Sequence, residues 1–474
     1  MKYSYIAGLL CFLSSTFVFA ADQGYKIKVK INGLKDTTVL LGNHFADKQY
    51  VIDTVRCDSK GNLVFEGKEK LKPGIYLTVL PSKRYFEFLI TSEQEFSLET
   101  DTGNFVYSMK VKGSNENQLF YDYLKFIEAK GKVITRLREK IDDKKAPKDS
   151  IENAKKQAAE TDNEVKNYKK NFINQYPKSF LTTIFKASQD PEVPEIPLLP
   201  NGRKDSIFQY NYYKQHFFDA LDFSNEGLLR TPVFHTRLKT YIDNLTFQIP
   251  DSISKSCIEI CERAKANKEV FKYCVVEFTS TYEKSNIMGF ESVFVDMVDK
   301  YYRTGQAVWA DSVTLFKIKD KAGKLKPLLI GKKAPNLTLK DTSGVYQTLY
   351  NFRNDFVVLA FWDPDCSHCK KEIPVLLKEY NEKLKKRNLE VFAVCTEAER
   401  NKWTDFIRKE KLNWVNVADI ELQNPFRTLY DIHSTPVIYV LDKNKMILAK
   451  RIPVEKIDEF LERHITLESR KKTK

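Results

Sequence analysis

The stretch "FWDPDCSHCKKEIPVL", residues 361–376, sets Cys366 and Cys369 two residues apart, after an apolar run and ahead of a charged, helix-forming one. Thiols at this spacing support three chemistries: reversible disulfide formation, metal ligation, or packing as small apolar side chains. Position favours the first. A cysteine at a helix N-terminus faces unpaired N–H groups and the positive end of the helix dipole, which stabilise a thiolate. Cys366 is then the exposed, attacking sulfur. Cys369, one turn inside the helix, resolves the mixed disulfide, and His368 between them lowers the pKa of Cys366 further when it is an imidazolium. Metal ligation would need Cys366, His368 and Cys369 to converge on one ion from a single turn, with no second pair to complete the set, so no metal is assigned.

The chain that must position this pair has 474 residues, 42% of them hydrophobic and 30% charged. That composition is globular, and the length calls for about three domains rather than one core. The formal charge of +14 would suit an anionic partner, but Lys and Arg interleave with Asp and Glu, and only the tail "SRKKTK" is a basic cluster. Without a basic stripe carrying aromatics, nucleic acid is not expected as a partner.

Residues 1–20, "MKYSYIAGLLCFLSSTFVFA", combine Lys2, an apolar centre from Ile6 to Phe19, and small residues Val18 and Ala20 at the −3 and −1 positions of a cleavage site. This is the pattern of a secretory signal peptide, too short to span a membrane. Leu10 before Cys11 does not suit a lipid anchor, so cleavage and release into the periplasm or cell envelope are expected. Seven of the eight cysteines remain: Cys57, Cys257, Cys261, Cys274, Cys366, Cys369 and Cys395. An odd number at irregular spacing excludes a disulfide-stapled scaffold.

Three regions follow the signal peptide. Residues 21–113 alternate in short runs such as "YKIKVKI", "GIYLTVL" and "YFEFLIT" between turn residues, which predicts a sandwich-like β module. Residues 114–327 carry apolar residues at helical spacing and predict an all-α middle region, broken by the Pro-rich "QDPEVPEIPLLPNG". Cys257 and Cys261 lie four apart on one of these helices; buried thiols are the favoured reading, with a disulfide to Cys274 as the alternative. Residues 328–474 alternate strand and helix and end in two antiparallel strands, an α/β pattern.

Phe361–Trp362 closing a strand, the C-x-x-C pair opening a helix, and Thr435–Pro436 ahead of another strand together resemble a thioredoxin fold. "IGKKAPNLTLKDTSG" followed by "CSHCKKEIP" is similar to the ResA/TlpA branch, and the whole chain resembles multidomain thioredoxin-like proteins of Gram-negative envelopes. The resemblance implies a thiol-disulfide oxidoreductase that reduces protein disulfides. It also implies a cis Pro436 after Thr435 beside the sulfurs, and Glu372 tuning the cysteines and shuttling a proton. Trp362 packs beneath the site. The implied partners are disulfide-containing envelope proteins and a membrane or periplasmic thiol donor, with no cofactor beyond the Cys366–Cys369 disulfide; the oligomeric state is not set.

The chain departs from ordinary thioredoxins in having Asp365, not Trp, before the first cysteine, and a carboxylate there opposes the thiolate. Two other classes stay open. The opening "APNLTLKDTSG" is also similar to peroxiredoxins, whose peroxidatic cysteine needs a Thr three residues earlier; Asp363 stands there. The other is a client-binding envelope protein with inactive thiols.

Overall fold

The computed structural model describes residues 24–205 and 207–472, so the signal peptide read over residues 1–20 lies outside the described residues. Among those described, no helix is long and apolar enough to cross a membrane. The chain packs as two compact units, one ending at Tyr241 and the other comprising Ile242–Lys474.

The first unit opens with β1 (Tyr25–Asn32), β2 (Thr38–Phe45), β3 (Lys48–Arg56), β4 (Asn62–Gly67), β5 (Gly74–Val79), β6 (Tyr85–Ile90), β7 (Glu95–Asp101) and β8 (Lys110–Lys112). They form two four-stranded sheets, ordered β4-β1-β7-β8 and β3-β2-β5-β6. Alternation along β1 explains the arrangement: Ile27, Val29 and Ile31 are buried while Lys26 and Lys28 face water. These residues share one core with Val39, Leu41, Phe86 and Phe88 of the other sheet, as in a sandwich. The rings of Phe88 and Phe96 meet across it at 5.9 Å. Gly61 turns the chain into β4 at φ +78, where a Cβ would lie 2.2 Å from the Ile31 carbonyl oxygen.

Helices α1 (Asn115–Asp142), α2 (Lys148–Gln175) and α3 (Phe180–Ala187) follow. Ser114 caps α1 by accepting from Asn117 N at 3.2 Å. The buried Asn117 amide accepts from Leu89 N at 2.7 Å and donates to Leu89 O at 2.8 Å, which holds the helix start against β6. Phe120, Tyr121, Phe172 and Phe185 then complete the sandwich core. Helices α4 (Phe208–His216) and α5 (Pro232–Asn244) come next.

The second unit begins with α6 (Pro250–Ala264), α7 (Lys268–Glu283), α8 (Glu291–Met297) and α9 (Ser312–Leu325). Alternation follows: β9 (Thr338–Asp341), β10 (Tyr346–Thr348), β11 (Phe356–Trp362), α10 (Cys369–Glu382), β12 (Leu389–Cys395), α11 (Arg400–Glu410), β13 (Val415–Ala418), α12 (Phe426–Leu429), β14 (Val437–Asp442), β15 (Ile447–Lys450) and α13 (Ile457–Lys472). The seven strands lie in the order β10-β9-β13-β12-β11-β14-β15. Central β11 pairs parallel with β12 and antiparallel with β14.

Every residue of β11 is buried because both faces of the sheet are covered. Val358, Ala360 and Trp362 pack with Ile373, Leu376, Trp403 and Leu461 on one side. Val357, Leu359 and Phe361 pack with Leu349, Phe426 and Tyr430 on the other. The earlier helices of this unit are tied to the sheet at β15. The Lys450 ammonium is buried, donating to Leu328 O at 2.9 Å and pairing with Glu291 at 2.7 Å. The architecture is therefore multidomain: a β-rich region, helices α1–α9, and a thioredoxin-like α/β domain.

Candidate active site

The two cysteines stand where β11 gives way to α10. Trp362 ends the strand fully buried, its ring tilted against Phe406 of α11 at 4.9 Å and in one core cluster with both thiols. Asp363 then turns the chain, its Oδ1 accepting from Asp365 N at 2.7 Å. Lys370 N donates to Cys366 O at 3.0 Å, so the first turn of α10 closes on Cys366, and Cys369 is the first residue of the helix proper.

The sulfurs are unlike. Cys366 is half-buried and Cys369 buried, and both are free thiols. The Cys366 thiol donates to Thr435 O at 3.3 Å, and the Thr435–Pro436 bond is cis, so the loop before β14 lies directly against the sulfur. Partial burial pushes the Cys366 pKa up. The backbone N–H of Cys369, the side chains of Thr435 and Cys369, and the backbone N–H of His368 outweigh it and set the thiol below its ordinary range. Burial pushes Cys369 up to about 12, only partly offset by Asp363 N, which donates to its sulfur at 3.5 Å. At neutral pH such a pair offers one accessible sulfur that ionises readily and one that keeps its proton until a base removes it.

Other residues singled out in the sequence are gathered here to different degrees. His368 caps α10 and is exposed; what it gives Cys366 is its backbone N–H rather than its ring. Glu372 is half-buried in the first turn, its N–H bonded to His368 O at 2.9 Å. Asp365 is not left facing the thiol alone, because Lys402 of α11 holds it at 2.9 Å. Asp363, Asp365 and Glu397 bring carboxylate oxygens within 4.8 Å of one another. Cys395, across from Trp362 on β12, is buried with its thiol pushed up to about 12 by burial. Sequence reading missed Lys402, Glu397 and the bond from Asp363 N to Cys369. The β11–β12 register that brings Lys402 and Glu397 to the turn joins distant segments, and no local spacing signals it.

Known proteins resemble this chain region by region. The AhpC/TSA family matches residues 330–450, and two domains of unknown function, DUF4369 and DUF5106, match residues 25–120 and 147–325. The thiol-disulfide oxidoreductase ResA of Bacillus subtilis is 29% identical over 112 residues, which is 24% of this chain and 61% of that protein's length. ResA of Bacillus thuringiensis subsp. konkukian is 26% identical over 142 residues, covering 30% of this chain and 80% of the relative. A solved domain of a possible thiol-disulfide isomerase from Cytophaga hutchinsonii is 44% identical, covering 31% of this chain and 99% of that one, with a TM-score of 0.29. Residues 330–450 are thus an AhpC/TSA-family thioredoxin-like domain, carried in a multidomain chain whose curated relatives over that stretch are named thiol-disulfide oxidoreductases.

Proposed function

We propose that this chain reduces disulfides of proteins outside the cytoplasm, with Cys366 as nucleophile and Cys369 as resolving thiol. The observation that carries the reading is the asymmetry of the pair: an accessible sulfur set below its ordinary pKa beside a buried one set near 12. The Cys366 thiolate attacks one sulfur of a client disulfide, and the other client sulfur leaves as a thiolate. Cys369 then loses its proton and attacks Cys366, releasing the second client thiol and leaving a Cys366–Cys369 disulfide. The client gains two electrons, and an envelope dithiol donor restores the pair. The electrons pass through these sulfurs alone, so no cofactor is required.

Glu372, in the turn that Cys369 opens, is the acceptor we assign for the Cys369 proton. Thr435 and Pro436 offer the loop along which a client strand aligns, and Trp362 gives the pair a rigid floor. The signal peptide read in residues 1–20 puts the chain in a compartment where clients carry disulfides. Peroxide reduction calls for a hydroxyl three residues before Cys366. Asp363 occupies that position, and its carboxylate accepts from Asp365 N.

The test is trapping. Cys369→Ala should hold clients in mixed disulfides released by dithiothreitol, and those clients should be envelope proteins. Capture of nothing, together with hydrogen peroxide turnover by the unaltered protein, would transfer the reading to a peroxidase.

A further inference from the structure

Asp365 is the residue least suited to its place, since a carboxylate beside an attacking sulfur disfavours the thiolate. The surroundings sharpen the problem. Asp363 and Glu397 bring two more carboxylates within 4.8 Å of it, and Glu399 follows at the start of α11. On the other side of Cys366, the segment leading to Pro436 carries Asp431 and His433, paired with each other at 2.9 Å. From α10 come His368 and Lys370, both exposed. From α11 comes Lys402, whose Nζ lies 2.9 Å from Asp365 Oδ2 and 3.1 Å from Glu399 Oε2.

We propose that Lys402 is a positioning residue for the dithiol: by holding Asp365 it cancels most of that carboxylate's field at Cys366, so the thiolate can form beside an acidic neighbour. The inference rests on reading Cys366 as the attacking sulfur. Asp365 is held below the ordinary carboxylate range, first by its bond to Lys402, so it stays ionised and needs its counter-charge throughout the neutral range. Both partners are about half exposed, so the effect is modest and screened by salt. Lys402 acts through Asp365 and touches neither sulfur nor client.

The experiment measures alkylation of Cys366 by iodoacetamide against pH in the reduced full-length protein, reading the Cys366 peptide by mass spectrometry. At low ionic strength Lys402→Gln should raise the midpoint and slow alkylation at neutral pH about threefold, a shift of roughly half a pH unit. In about 1 M salt the difference should close. Lys402→Arg should restore the midpoint, and in an Asp365→Asn background Lys402→Gln should move it little. An unmoved midpoint in Lys402→Gln, or the same shift with and without Asp365, overturns the proposal. If instead the unaltered protein ionises Cys366 no lower than an ordinary thiol, it is the reading of Cys366 as nucleophile that fails.

Discussion

The second unit holds two sets of closely spaced thiols, and they have opposite characters. Cys257 and Cys261 lie on α6 with Cys274 of α7 beside them, and all three are completely buried. Cys366 and Cys369 lie at the start of α10, one of them reached by solvent. In the first set burial raises every thiol, Cys257 and Cys274 well above the ordinary range, while hydroxyls of Tyr282 and Tyr301 lie against Cys257 and Cys261. Within a helix the N–H groups are already spent on the preceding turn, and the two tyrosine hydroxyls offset only part of the cost of burial. At the start of α10 the N–H groups are not spent. Sequence spacing is similar in the two sets; reactivity follows from water and from uncommitted N–H groups.

The comparison breaks most visibly at the nucleophile. Cys366→Ala should cut dithiol-driven reduction of insulin at least about a thousandfold, the scale on which loss of a nucleophile acts. Cys369→Ala should also stop turnover yet accumulate mixed disulfides, whereas Cys257→Ala, Cys261→Ala and Cys274→Ala should leave the rate within about twofold. Loss of turnover in one of those three, with unfolding excluded by circular dichroism, would make the buried set part of the chemistry.

Next comes native-state labelling. In folded protein Cys366 should react with iodoacetamide at least about a hundredfold faster than Cys257, Cys261 or Cys274, which become reactive only when the unit opens. The pH profile carries the sign. Attack requires the thiolate, and its pKa lies below the ordinary one, so reactivity should persist at neutral pH and fall about tenfold per unit only once pH drops well below that lowered value. A profile that rises in proportion to hydroxide up to about pH 8 and levels off only near pH 9 would show an unperturbed thiol.

The buried set should answer through stability. Each Cys→Ala there removes a sulfur from a closed core and should cost about 1–2 kcal/mol, measured as a lower urea midpoint. Cys366→Ala, at a half-exposed position, should cost less.

Much of this contrast was legible in the sequence, and what was not has a physical reason. The all-apolar "FVVLAFW" gave the central strand, because a strand covered on both faces shows no alternation. The pair and Thr435–Pro436 were legible because each is a local pattern. β3 was missed, since none of its residues is buried and the hydrophobic period that marks a strand is absent. The run "VYQTLYNF" has the residue types of one continuous strand, but pairing with β9 ends at Thr348 and Leu349–Asn351 forms a 3-10 turn that buries Leu349. Helical periodicity located α1 and α7 equally well yet could not tell that Phe120 joins the β core, because an apolar stripe does not name what it packs on. Lys402 was invisible for the same reason: an ion pair between α11 and the turn after β11 exists only once β11 and β12 are in register.

The smallest effect expected is at His368, and it tests how far the contrast depends on side chains at all. From sequence, the imidazolium was expected to depress the Cys366 pKa. In the fold, the His368 contribution is its backbone N–H, which any non-proline residue supplies, and the ring is exposed where water and salt screen it. His368→Ala should therefore keep most of the lowered pKa, slowing Cys366 alkylation by no more than about twofold. Alkylation rates at pH 6 and pH 8 in low and high salt distinguish the cases. A loss of tenfold or more persisting at pH 8 would mean that the ring turns onto the sulfur in solution. The distinction between the two thiol sets would then rest on a histidine as much as on the helix start.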